Sequence, residues 1–131
     1  MDPLDDKRKL HEIIDTYGCA FEMADADLMT RLFWIDDPRF SEVENDRAQP
    51  FGRETFRAIA DWIRENARPG GKMRFYATTV HLLSPHVAYA VSMRDEYENG
   101  QAIPSRVTLV FLKKGDDWKI IHGHFSHVPE S

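Results

Sequence analysis

The sequence predicts an α+β fold, a cone-shaped roll with about three N-terminal helices packed on a strongly curved antiparallel sheet that encloses a pocket. Three observations carry this reading. Apolar residues recur at helical spacing before Met73, they alternate with period two after it, and turn residues punctuate the alternating part.

The first helix is read from Leu10, Ile13, Ile14, Tyr17, Phe21 and Ala24, whose spacings of three and four put them on one face. Asp5 and Asp6 near its start complement the helix dipole. Asp25-Ala26-Asp27 interrupts the pattern, and either aspartate can cap a short second helix carrying Leu28, Met29, Leu32 and Phe33. Pro38 prevents that helix from continuing. A short strand is expected around Phe40 to Val43. A third helix opens after Gly52, with Phe56, Ile59, Ala60, Ile63 and Ala67 as its buried stripe, and Pro69-Gly70-Gly71 ends it.

From Met73 the strands follow one another. The first long one alternates Phe75, Ala77 and Thr79 with Tyr76, Thr78 and Val80, and the second alternates Val87, Tyr89, Val91 and Met93 with Ala88, Ala90 and Ser92. Asn99-Gly100 is a hairpin signal, because both residues tolerate positive φ. Arg106 to Leu112 and Trp118 to Phe125 complete the meander around the Lys114-Gly115-Asp116-Asp117 turn. A twisted sheet of this kind curls around the long first helix and leaves an open mouth suited to a small molecule. Trp34 and Phe40 fall near that mouth, and Tyr89 on an inward face, so these aromatics are candidate ligand contacts as well as core.

Composition narrows the partners. A chain of 131 residues suits one core rather than two, so 1–131 is read as one domain. The net charge of −5 and scattered basic residues argue against nucleic acid, which favours a basic stripe. Cys19 is the only cysteine, which excludes an internal disulfide and suits a reducing compartment. Its place in an apolar helical stretch suggests a small core residue. The N-terminus lacks a basic-then-apolar leader pattern, and no apolar run approaches a membrane span, so a cytoplasmic protein without membrane contact is expected.

At the last two strands the sequence resembles the SnoaL-like branch of the nuclear transport factor 2-like superfamily. Ser105-Arg106-Val107-Thr108, the following Lys-Gly-Asp turn, and Trp118-x-Ile120-x-His122-x-His124-x-Ser126 carry the likeness. The last motif is also similar to the end of the calcium/calmodulin-dependent protein kinase II association domain. Leu32-Phe33 with Asp36-Asp37, and Phe51-Gly52-Arg53-Glu54, resemble the family's passage from the second helix to the third.

The strand period puts Trp118, Ile120, His122, His124 and Ser126 on one face, and Arg106, Thr108 and Val110 together on the neighbouring strand. The resemblance implies that His122, His124, Arg106 and Thr108 project into the cavity. It implies that the apolar opposite face, with Ile121, Phe125, Val107, Leu109 and Phe111, is covered by a second copy, giving a homodimer. His122 can serve as general acid or base, with Glu42 or Asp36 to orient it. Alignment with ketosteroid isomerase-like members implies Glu42 near the catalytic base and Tyr17 near the tyrosine that donates to the substrate oxygen. Arg106 can hold an acidic ligand or pair with a neighbouring carboxylate. His81 could join the histidine pair around a metal, but neither an H-E-x-x-H motif nor a cysteine cluster accompanies them. No metal or cofactor is therefore expected.

Two functions stay open. One is a small-molecule-binding or oligomerisation module with a His/Arg-lined pocket. The other is an acid–base enzyme, of isomerase, cyclase or dehydratase type, acting on a small carbonyl or polyketide-like compound.

Overall fold

The computed structural model describes residues 2–129. Helix α1, Pro3–Glu22, leads into the short α2, Ala26–Arg31, then strand β1, Ser41–Val43, and helix α3, Arg53–Asn66. Four long strands follow: β2, Met73–Ser84; β3, Val87–Glu98; β4, Gln101–Lys114; and β5, Asp117–His127. This is the expected α+β roll.

The helix starts are set by local chemistry. The Asp2 side chain accepts from the Leu4 amide at 2.9 Å, and Pro3 occupies the first turn, where its missing N–H is no loss. Asp25, rather than Asp27, caps α2 by accepting from the Leu28 amide at 3.0 Å.

The sheet order is β1-β5-β4-β3-β2, with β2 to β5 an antiparallel meander and β1 parallel to β5. The β3–β4 turn uses Asn99 at φ 51° and Gly100 at φ 78°, the two left-handed residues a tight hairpin requires. α1 packs on the concave face, and its Leu10 and Ile14 share one buried core with Val107, Leu109, Phe111 and Phe125.

Among the described residues the register shifts at three places, near the end of β2 between Leu82 and Ser84 and at two bulges inside the sheet. One lies at Ala77, whose φ is 52°, where the β2–β3 register shifts between Tyr76 and Thr79. The other lies in β5, where Val110 pairs with His122 but the adjacent Phe111 pairs with Ile120, leaving Ile121 as the extra residue. An added residue reverses the inward–outward parity beyond it and increases local twist. Trp118 and Ile120 are therefore buried before the bulge, and Ile121, Gly123 and Phe125 after it.

This corrects the expected face assignment. His122, His124 and Ser126 do not share the face of Trp118 and Ile120, but point to the convex side with Arg106 and Thr108. The apolar face expected to need a second copy is the concave one, covered by the chain's own helices. A second correction concerns Cys19, which is exposed rather than part of the core.

Candidate functional site

The concave side carries the chemistry. β1 is only three residues long, but it is held on both edges, by β5 and by two hydrogen bonds of 2.8 and 2.9 Å between the Glu42 and Phe51 backbones. Its alternation turns Ser41 and Val43 outward and Glu42 inward, where Glu42 is 4% exposed. Glu44 lies two residues on. On β3 the face of Ala88, Ala90 and Ser92 continues into Arg94, a guanidinium only 2% exposed. Arg94 pairs with Glu44 and Glu96, each at 3.3 Å, and lies 4.2 Å above the Phe125 ring. Tyr17 comes from α1 and is fixed edge-on between Phe33 and Phe75, at 5.7 and 5.6 Å.

These groups form the polar end of a cavity of about 700 Å³, a volume in the range of small-molecule sites. Its other wall is apolar, built by Met29, Phe51, Phe56, Ile63 and Met73.

Electrostatics follow from this burial. Loss of solvent, reinforced by the Glu44 charge, raises the Glu42 carboxyl well above its ordinary range, although Arg94 pulls it down. Burial also raises Glu44, to about 7, against the pull of Arg94. Tyr17 is raised by burial and then by the Glu42 and Glu44 charges. Burial acts to lower Arg94, but Tyr17, Glu44 and Glu96 outweigh it and keep the guanidinium charged. Among the described residues, buried Glu42 Oε1 and Arg94 Nε have no hydrogen-bond partner. Such orphan atoms are unusual in a folded chain and mark where a further group can bind.

The family profile described as the SnoaL-like domain matches residues 10–130. The chain belongs to the SnoaL-like family. Solved structures share the fold of this SnoaL-like domain. An NTF2-like protein of unknown function from Pseudomonas putida superposes with a TM-score of 0.80 at 17% identity, covering 94% of this chain and 87% of that one. The association domain of C. elegans CaMKII gives 0.75 at 20% identity, covering 93% and 95%. An NTF2-like protein of unknown function from Shewanella oneidensis gives 0.73 at 20%, covering 95% and 99%. At these identities the likeness is one of fold. Comparison with curated proteins yields no significant match.

Of the residues singled out in the sequence, Tyr17 and Glu42 line the cavity of this SnoaL-like domain. Five others gather on the opposite, convex face. Val110 stands between Tyr89 and His122, Thr108 pairs with His124, and Arg106 pairs with Ser126. His122 Nδ1 lies 2.8 Å from Ser41 Oγ. Burial lowers the His122 imidazole, offset by the Ser41 contact and reinforced by His124. Arg106 donates to the His127 carbonyl at 3.1 Å rather than to a carboxylate. His81 stacks on Tyr89 at 4.9 Å, and two strands separate it from His122. Among the described residues no group of three or more His, Cys, Asp or Glu side chains is arranged to hold a metal.

The two remaining aromatics are elsewhere. Phe40 is buried between Phe33 and Phe56, at 5.9 and 5.5 Å. Trp34 donates from its indole nitrogen to the Leu112 carbonyl at 2.8 Å, beneath the ammonium groups of Lys114 and Lys119.

Glu44, Arg94 and Glu96 escaped the sequence reading. The signals were the Glu42-x-Glu44 spacing and an arginine continuing the small-residue face Ala88-Ala90-Ser92. A strand face of small side chains leaves room for a long one at its end, and that room is the pocket floor. Among the described residues no helix is long and apolar enough to cross a membrane.

Proposed function

We propose that this SnoaL-like domain binds a small, partly apolar molecule in the concave cavity, anchored at Glu42. The observation that carries the reading is the Glu42 carboxyl, buried at the polar end of a 700 Å³ space with Oε1 unpartnered among the described residues. A buried polar atom without a partner costs about 1–3 kcal/mol, a cost that a bound ligand group removes.

Methionine methyl groups report on this directly. Met29 and Met73 line the cavity, whereas Met93 lies on the convex face. With methyl-labelled methionine, a panel of phenyl-substituted ketones, alcohols, acids and amines is expected to shift the Met29 and Met73 resonances and leave Met93 in place. A panel that shifts only Met93, or none of the three, contradicts the reading.

A second reading, proton transfer on a bound carbonyl compound, is favoured by the different environments of the Glu42 and Glu44 carboxyls. Glu44, raised to about 7, is partly ionised near neutrality and suits a general base. Glu42, whose carboxyl burial raises well above its ordinary range, suits a donor to the carbonyl oxygen in its protonated form. In that step the Glu44 carboxylate takes a proton from the carbon next to the carbonyl, leaving an enolate stabilised by Glu42. Return of a solvent deuteron in D2O labels that carbon. Deuterium uptake by β-tetralone is expected to be accelerated by the protein, and Glu44→Gln to abolish the acceleration. Uptake at the buffer rate would dismiss this step.

The convex face suits a homodimer. Tyr89, Val91, Met93 and Val110 form an apolar patch there, with Val91 45% exposed. Sedimentation equilibrium is expected to give a dimer that Val91→Lys weakens; a wild-type monomer at high concentration contradicts it.

A further inference from the structure

We infer that the cavity selects an organic cation, a protonated amine on an apolar body. The inference rests on the binding reading above and names the ligand class. Three independent features point the same way.

The first is charge. Five carboxyl groups, Glu42, Glu44, Asp46, Glu96 and Glu98, line the cavity against the guanidiniums of Arg47 and Arg94. The second is how those cations are already used. Arg94 is shared between Glu44 and Glu96 and sits over Phe125, while Arg47 lies 6.0 Å from the centre of the Phe51 ring. An anionic ligand would have to break the Arg94 ion pairs and enter a space lined by carboxyl groups. The third is Glu42 itself, which lines the space although only 4% exposed, with Oε1 buried and unpartnered among the described residues. An ammonium has three donors and a charge, and so meets an orphaned carboxylate oxygen better than a neutral hydroxyl does.

The walls suit the rest of such a molecule. Phe51, Phe56 and Trp62 line the cavity, and aromatic rings attract a cation that approaches their faces. The apolar body then rests against Ile63 and Met73.

Proton balance gives the site a signature. The charged and titratable groups that act on Glu42 or feel its charge are Glu44, Arg94 and Tyr17. Burial raises the free carboxyl well above its ordinary range, so a proton on it in the free site has to leave when a cation binds. When R–NH3+ binds, the carboxyl transfers its proton to buffer and becomes the carboxylate that faces the ammonium. The cavity's charge is unchanged, and about one proton appears in solution per amine bound.

Calorimetric titration of phenethylamine, phenethyl alcohol and hydrocinnamate at a pH of about 6, in two buffers of different ionisation enthalpy, tests this. The amine is expected to bind about tenfold or more tightly than the alcohol and the acid. The two buffers should report release of about one proton with the amine. Glu42→Gln, which keeps size and shape, is expected to fold and to abolish both the amine preference and the proton release. An alcohol that binds as tightly as the amine, an acid that binds most tightly, or a preference unchanged in Glu42→Gln would each overturn the cation inference while leaving the cavity as a binding site. Failure of all three compounds to bind would remove the cavity reading along with it.

Discussion

Glu44 couples the pocket to the stability of the whole chain. Its folded pKa of about 7 lies above the ordinary value of 4.5, so the native state binds protons more tightly than the unfolded state does. The penalty is absent below the ordinary carboxylate range, grows as pH rises through it, and is complete above about 7. At about 1.4 kcal/mol per pKa unit, this side chain accounts for a loss of about 3–4 kcal/mol between acid and alkaline sides of that window. Glu44→Gln also removes the Arg94 pair, but its stability is expected to vary less with pH over the same interval. Urea melts at pH steps across the window check this. A variant as pH-dependent as the wild type would remove Glu44 as the titrating group. At this scale Tyr17 and Glu42 were legible through the alignment with the family, whereas Glu44 and Arg94 were not. Their roles arise from an ion pair between distant segments, which no local pattern encodes.

Among the elements, β5 shows why alternation alone misplaced the histidines. Ile120-Ile121 is an apolar pair, which a strict period-two reading splits between two faces, but the bulge buries both. A bulge adds no characteristic residue at this position, so only the pairing partners reveal it. Close packing follows directly behind it. A Cβ at Gly123 would meet Phe125 Cε2 at 3.1 Å and Leu109 Cδ2 at 3.3 Å. Gly123→Ala is therefore expected to cost about 1–3 kcal/mol of stability, measured by chemical denaturation. A variant as stable as the wild type would show that this part of β5 is loosely packed. At the start of the strand, the Trp118 indole donates to buried Asp6 at 3.0 Å, with Lys113 at 3.6 Å from the same carboxylate oxygen. Trp118→Phe keeps a ring in place but deletes that donor. A loss of about 1–3 kcal/mol is expected, and no loss would mean that Lys113 alone suffices for Asp6.

For the molecule as a whole, helices before Met73 and alternation after it were enough to predict the roll, because helical and strand periods are set by backbone geometry. The C-terminal motif tied that roll to its family for the same reason: its aromatic and β-branched residues shape the sheet. The placement of the site depended on curvature, on which face the helices cover, and on a single extra residue in β5. Reversal of the faces leaves His122, His124, Arg106, Thr108 and Tyr89 on the convex surface and moves the candidate chemistry to Glu42, Glu44, Arg94 and Tyr17. The most direct test compares one substitution on each face. Binding of the tightest phenyl compound is measured by calorimetry for the wild type, Glu42→Gln and His122→Ala. Loss of about tenfold or more in Glu42→Gln, with His122→Ala unchanged, is the predicted result. Retained binding in Glu42→Gln with loss in His122→Ala would place the site on the convex face and contradict the account.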